Sequence, residues 1–143
     1  MRAVGLDLGS RRIGVAASDP GGRLASPRTT VERSGDLAAD HRRIAAIVAE
    51  EEAVTVVVGL PKSLDGRLGP AAKAVLAEVE ALGAVIGVPV VTHDERFTTV
   101  TAHEQLRAAG MGGRRRRSVV DQQAATVLLQ DWLDARRPGE PTT

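Results

Sequence analysis

Three acidic residues from distant segments could converge on one ion, and the first of them is out of keeping with its neighbours. Asp7 interrupts the small, apolar run "AVGLDLGS", residues 3–10. Glu95 closes "VPVVTHDE", residues 88–95, and Asp121 follows shortly after "RRRR", residues 114–117. A carboxylate left unpaired in an apolar strand costs on the order of several kcal/mol, so such an acid calls for a cation or hydrogen bonds. An oxygen-only ligand set drawn from three distant segments selects a hard cation, Mg²⁺ or Mn²⁺, over Zn²⁺. Ions of that kind, about 4 Å apart when paired, activate water and stabilise the leaving oxygen in phosphodiester hydrolysis. Asp7, Glu95 and Asp121 are therefore the candidate catalytic and metal-binding residues.

Each acid also has a plainer role open to it. Asp7 can be a strand-end acid paired with a nearby arginine. Glu95 can pair with Arg96 or Arg11 at the surface. Asp121 can complete a capping box with Ser118 in the first turn of a helix. Asp65 stands in reserve as a ligand, and Thr98 and Thr99 read as helix caps. His41, His93 and His103 sit at no metal-ligand spacing and read as structural or surface residues.

The cations have a pattern of their own. Of 19 basic residues only Lys62 and Lys73 are lysines; the other 17 are arginines, the type suited to bidentate phosphate contacts. Arg114, Arg115, Arg116 and Arg117 form a run directly before Asp121. Taken alone it is a solvated loop; beside an acidic centre it can grip phosphates, with salt-dependent binding. Arg11 and Arg12 on the turn beside Asp7, Lys62 and Arg67 in "PKSLDGRLG", and Arg96 next to Glu95 complete the candidate nucleic-acid contacts.

The elements that must position these residues follow from periodicity. Residues 3–8 alternate as a strand, "LGSRR" is a turn, and "IGVAASD" is a second strand. The turn "DPGG", residues 19–22, leads to a third strand within "RLASPRTTVE", which makes an antiparallel meander. Residues 36–52 read as a helix with Leu37, Ile44, Ile47 and Val48 on its apolar side. The β-branched run "VTVVVGL", residues 54–60, is a strand covered on both faces. Residues 70–86 form a helix facing inward with Val75, Val79, Leu82 and Ile86, and "VPVVTHDE" is the fifth strand. Thr98–Ala109 reads as a short helix broken by Gly110–Gly113. Ser118–Arg136 is the last helix, and it places Asp121 on one face with Ala125, Leu128 and Trp132.

This order predicts an α/β fold: a mixed five-stranded sheet, three strands antiparallel and two parallel, flanked by helices. Parallel strands present their carboxyl ends at one edge, so Asp7 and Glu95 fall at the same rim, two strands of about 4.8 Å spacing apart. One domain is expected over 1–136, with 137–143 as a frayed tail.

Composition excludes several classes. With no cysteine, disulfides and thiolate chemistry are ruled out. Phe97 and Trp132 are the only aromatics, too few for a base-stacking platform. The net charge of +1 points to no partner by itself. No apolar run approaches the roughly 18 residues of a membrane span, and the amino-terminal residues do not read as a secretory signal, so a cytoplasmic protein with no membrane partner is expected.

The blocks "VGLDLGSRRIGVAASD", "GLPKSLDGRLGPAA", "VVTHDERFTT" and "GGRRRRSVVDQQAATVLLQDWL" resemble, in order and spacing, the YqgF/RuvX family. These bacterial RNase H-like proteins are described as Holliday junction resolvases and as nucleases maturing the 5′ end of 16S ribosomal RNA. The resemblance runs to about residue 136. It implies an RNase H-like fold, divalent-metal dependence, and catalytic acids at Asp7, Glu95 and Asp121. Many RNase H-like nucleases carry an acid at the end of the fourth strand, where this chain reads "VVVGLPKS", so Glu95 must stand in. Asp131 is too far along the last helix to serve. The substrate expected from the resemblance is structured RNA, ribosomal precursor first. The alternatives are four-way DNA junctions cut by a dimer (assembled through Trp132 and helix ends) or binding without catalysis. Monomer and homodimer are both open.

Overall fold

The computed structural model describes residues 1–62, 66–94 and 113–136, with 113–119 as backbone alone. Its elements are β1 (Ala3–Leu8), β2 (Arg12–Ser18), β3 (Ala25–Glu32), α1 (Leu37–Glu50), β4 (Thr55–Leu60), α2 (Pro70–Val85), β5 (Val90–Asp94) and α3 (Gly113–Asp134). They build one five-stranded sheet in the order β3-β2-β1-β4-β5. β1–β2 and β2–β3 are antiparallel, while β1–β4 and β4–β5 are parallel, as the sequence predicts.

Local chemistry sets the turns and helix starts. The Asp19 carboxylate accepts from the amides of Arg23 and Leu24 at 2.8 and 3.0 Å, and Gly22 supplies the positive φ of +68° that closes the β2–β3 turn. Asp36 caps α1, accepting from the Ala39 amide at 3.1 Å. Pro70 begins α2, where its missing N–H leaves no helical bond unmade. On the edge strand β3, the register shifts opposite Val15 and Ala16, next to Pro27, which has no amide to donate.

The two faces of the sheet differ in kind. One carries Val4, Leu6, Ile13, Val15, Val31, Val56, Val58 and Leu60, and packs on Ile44 and Val48 of α1 and on Ala72, Val75 and Leu82 of α2. The other is lined by small residues, Ala3, Gly5, Gly14 and Ala16, with Val57. Ala125, Leu129, Trp132 and Leu133 of α3 cover it. Val56, Val57 and Val58 are all fully buried, so β4 is covered on both faces.

Two expectations are corrected. The inward stripe of α1 runs through Asp40, His41, Ile44 and Val48, while Leu37, on the same side seven residues before Ile44 but at the first position of the helix, is 49% exposed and takes no part in the core cluster. The last helix starts at Gly113, five residues before the expected Ser118. Arginine is a good helix former, so the basic run continues the helix instead of preceding it. Asp121 thus lies in the third turn, and a first-turn capping box with Ser118 does not exist. The short helix expected over Thr98–Ala109 and the tail 137–143 lie outside the described residues. Among the described residues no helix is long and apolar enough to cross a membrane.

Candidate active site

Asp7 sits one residue from the end of β1, and its partner across the antiparallel pair is Gly14 of β2. Side chains alternate along a strand, so Asp7 shares a face with Gly5 two residues earlier. That is the face under α3, since a Cβ on Gly5 would come within 2.8 Å of the Leu129 Cβ. A Cβ on Gly14 would lie 1.8 Å from the carbonyl oxygen of Asp121. The bare glycine therefore lets the backbone of α3 rest on β2 at the position opposite Asp7. Two of the three sequence-predicted acids are brought to one rim, on either side of Gly14.

Arg12 stands two residues before Gly14 on β2 and shares its face. Its Nε donates to Asp121 Oδ2 at 2.8 Å, with the two side chains only 23% and 18% exposed. A guanidinium thus already supplies positive charge at this rim. Carboxylate oxygens at a polar, half-buried edge, in a place that accepts a cation, are a donor set that fits Mg²⁺ or Mn²⁺. Among the described residues no three acidic or histidine side chains form a metal-holding group. Glu95 lies outside the described residues, as do Arg96, Asp65, Thr98, Thr99 and His103. The last described residue of β5, Asp94, pairs with Leu60 at the carboxyl end of β4, so β5 ends at the rim where Asp7 stands.

The remaining candidate cations are distributed around that rim. Arg11 is exposed on the β1–β2 turn, and Arg67 is exposed beyond β4. Lys62 is half-buried, its amide donating to the Leu60 carbonyl at 3.0 Å. Arg114–Arg117 occupy the first two turns of α3. The helix passes over Gly14 at Asp121 and over Gly5 at Leu129, so its amino end extends beyond the carboxyl edge of the sheet.

Sequence reasoning did not find a polar network on the opposite face of the rim. Arg33, just after β3, forks onto Glu78 of α2 at 2.9 and 2.8 Å. His41, expected to be structural or at the surface, is 3% exposed and meets the same carboxylate at 2.8 Å. Burial pushes the Glu78 carboxyl up, but the Arg33 and His41 contacts outweigh it and hold the acid below its ordinary range. Asp40, 1% exposed, accepts from the Ser34 hydroxyl at 2.8 Å, and that bond above all keeps its carboxyl below the usual value. No spacing marks these residues in the sequence, because they come from β3, α1 and α2 and meet only in the fold. The isolated glycines at 5 and 14 were the one available signal of close backbone approach to the site.

Trp132 is not an exposed residue available to a partner: it is 9% exposed, packed from α3 against the sheet, with the Arg136 guanidinium 4.7 Å from its ring centre. His93 meets Asp131 at 2.6 Å, which gives both a structural role on the α3 face.

Known proteins resemble this chain in sequence and in fold. A family model described as "RuvX: Holliday junction resolvase" matches residues 1–135. A Mycobacterium protein (strain KMS) named "Putative pre-16S rRNA nuclease" is 50% identical over 145 residues, covering 97% of this chain and 86% of the relative. A protein of the same name from Rhodococcus erythropolis is 51% identical over 147 residues, covering 97% and 83%. Among solved structures, T. thermophilus RuvC in complex with a Holliday junction substrate aligns with a TM-score of 0.57 at 19% identity, over 95% of this chain and 96% of that one. The fold is thus RNase H-like, and on the match along nearly its whole length the chain belongs to the RuvX family.

Proposed function

We propose that this protein is a divalent-metal-dependent nuclease that hydrolyses phosphodiester bonds in structured RNA, with the precursor of 16S ribosomal RNA as its substrate in the cytoplasm. The observation that supports this reading is that Asp7 pairs with Gly14 near the end of β1 while the backbone of Asp121 rests on that same glycine, with Arg12 bonded to the Asp121 carboxylate. Glu95, the residue after Asp94 and two beyond His93 of the α3 face, is the third acid. The relatives named for pre-16S rRNA support the choice of RNA.

When bound, the ion supplies Lewis acidity that lowers the pKa of a water and offsets charge on the phosphodiester. Asp7, Glu95 and Asp121 would hold it. Arg12 keeps Asp121 oriented. Arg11, Lys62, Arg67, Arg96 and Arg114–Arg117 contact backbone phosphates, which sets register without reading sequence. Hydrolysis adds water across the P–O bond and leaves a phosphate monoester and a hydroxyl.

The deciding experiment incubates pure protein with labelled pre-16S RNA, single-stranded DNA and a four-way DNA junction, with and without Mn²⁺. Asp7→Asn is run alongside. Metal-dependent cleavage of RNA that disappears in Asp7→Asn, with binding retained, is the expected result. Undiminished turnover by that variant rejects the assignment of the acids. The family description and the RuvC fold favour one second reading, a junction resolvase. Paired, symmetric cuts in the junction by a dimer, with RNA left intact, would establish it instead. Binding of either substrate without cleavage under any metal would mark a non-catalytic module.

A further inference from the structure

The turn between Asp7 and Arg12 carries both ends of the site, and its own sequence does little to hold it. "GSR", residues 9–11, contributes one internal backbone bond, from the Gly9 amide to the Asp7 carbonyl at 3.1 Å. Among the described residues, Arg33 bonds to this turn twice from outside it. The Arg33 amide donates to the Arg11 carbonyl at 2.9 Å, and the Arg33 Nε donates to the Gly9 carbonyl at 2.7 Å. We propose that Arg33 is a positioning residue for the acidic site. Its side chain clamps the Gly9 carbonyl, with Glu78 and His41 as the fixed seat of its guanidinium.

The geometry suits that role better than a merely structural ion pair. Arg33 uses separate edges of one planar group: Nε for the turn, Nη1 and Nη2 for both oxygens of Glu78. Glu78 cannot swing away, because Oε2 also meets His41, 3% exposed on α1. The clamp is therefore referenced to α1 and α2, the rigid layer on the far side of the sheet. A cleft of about 250 Å³ opens beside it between Leu8, Gly9, Ser10 and Glu78, so no packed side chain would substitute for the lost contact.

This inference rests on the nuclease reading for its catalytic consequence, but the clamp itself can be measured without activity. Lysine at position 33 can pair with Glu78 or reach Gly9, but its single ammonium cannot hold both edges. The test compares wild type, Arg33→Lys and Ser34→Ala; the last loses the neighbouring bond to Asp40 without touching the turn. Arg33→Lys is expected to melt within a few degrees of wild type and to bind RNA within threefold. Its kcat should fall at least tenfold, and peptides spanning residues 7–14 should exchange amide hydrogens at least tenfold faster. Ser34→Ala is expected to lower the melting temperature while kcat and exchange in 7–14 stay unchanged. Wild-type kcat and wild-type exchange in Arg33→Lys would overturn the proposal, as would equal losses of kcat in Ser34→Ala. Should the wild-type protein cleave nothing, the nuclease reading fails, and the exchange difference alone then upholds or overturns the clamp.

Discussion

Replacing Gly14 by alanine should separate what the fold tolerates from what the site requires. The added Cβ would stand 1.8 Å from the carbonyl oxygen of Asp121, 2.3 Å from its carbonyl carbon and 3.0 Å from the amide nitrogen of Gln122. All three are helix backbone, so no side chain can rotate out of the way. Ordinary contact begins near 3.4 Å, which requires α3 to retreat by about 1.6 Å at this point (3.4 minus 1.8). A gap of even about 0.5–1 Å forfeits a quarter to a half of the dispersion energy of the surfaces involved. Overpacking of this kind typically costs roughly 1–3 kcal/mol, and the absence of any yielding side chain puts Gly14→Ala at the upper end.

The catalytic loss should be larger than the loss of stability. A retreat of about 1.6 Å stretches the Arg12–Asp121 contact from 2.8 Å to beyond 4 Å and moves one acid away from the other. Misplacement of a reacting group by about 1 Å can reduce rate roughly 100-fold. Urea unfolding followed by circular dichroism gives the stability, and cleavage by the folded fraction gives the rate. The expected outcome is a folded protein, about 3 kcal/mol less stable, with cleavage reduced at least 100-fold. A variant with wild-type stability and wild-type cleavage would refute the close approach of α3 to β2 and, with it, the placement of Asp121.

Other substitutions test neighbouring steps. Arg117 and Arg114 stand four and seven positions before Asp121, one and two helical turns away on the same side of the helix. Alanine at both should weaken nucleic-acid binding more than alanine at Arg115 and Arg116, and should lower the salt slope by roughly 0.7–0.9 per lost contact; equal effects of the two pairs would contradict it. Val58→Ala, on the opposite face, removes two buried methyl groups and should cost about 2 kcal/mol in urea unfolding, with cleavage per folded molecule unchanged. Glu78 and Asp40 have carboxyls held below their ordinary values in the fold, so their contribution is fully present above the unfolded pKa values of about 4. It is lost as pH falls through the lower folded values. Urea midpoints should be flat from pH 7 to 5 and drop below pH 4. Glu78→Gln should flatten that drop; an unaltered slope would remove Glu78 from the account.

Strand order, direction and the position of Asp7 near the end of β1 were legible because each leaves a local mark. An acid inside "AVGLDLGS" breaks a period of two, and "VTVVVGL" can only be a strand with both faces covered. The start of α3 was not legible, because glycine at 110, 112 and 113 signals a break while four arginines favour a helix, and the balance falls at Gly113. The polar cluster of Arg33, His41 and Glu78 was invisible for another reason. Its members are 8 and 37 residues apart in the chain, and no periodicity links a strand end to two different helices. Leu37 misled because periodicity gives the side of a helix a residue lies on and not whether the core reaches as far as its first turn.

The two faces of the sheet divide the work of the protein, and that division explains where the site can be. Against α1 and α2 the sheet presents branched side chains, which bury area and keep the helices at ordinary packing distance. Against α3 it presents glycine and alanine, which contribute little area but let helix backbone approach strand backbone. Only on that second face can a residue from a helix lie beside a residue from a strand with nothing between them. An acidic pair built on the branched face would be held apart by the very side chains that stabilise the core. The small-residue track under α3 therefore sacrifices hydrophobic burial where it stabilises least, and it ends at the rim with Asp7 opposite Gly14. Asp121 is delivered there by the same helix that closes the core at Leu129 and Leu133, so the geometry of the site is fixed by packing two turns away from it.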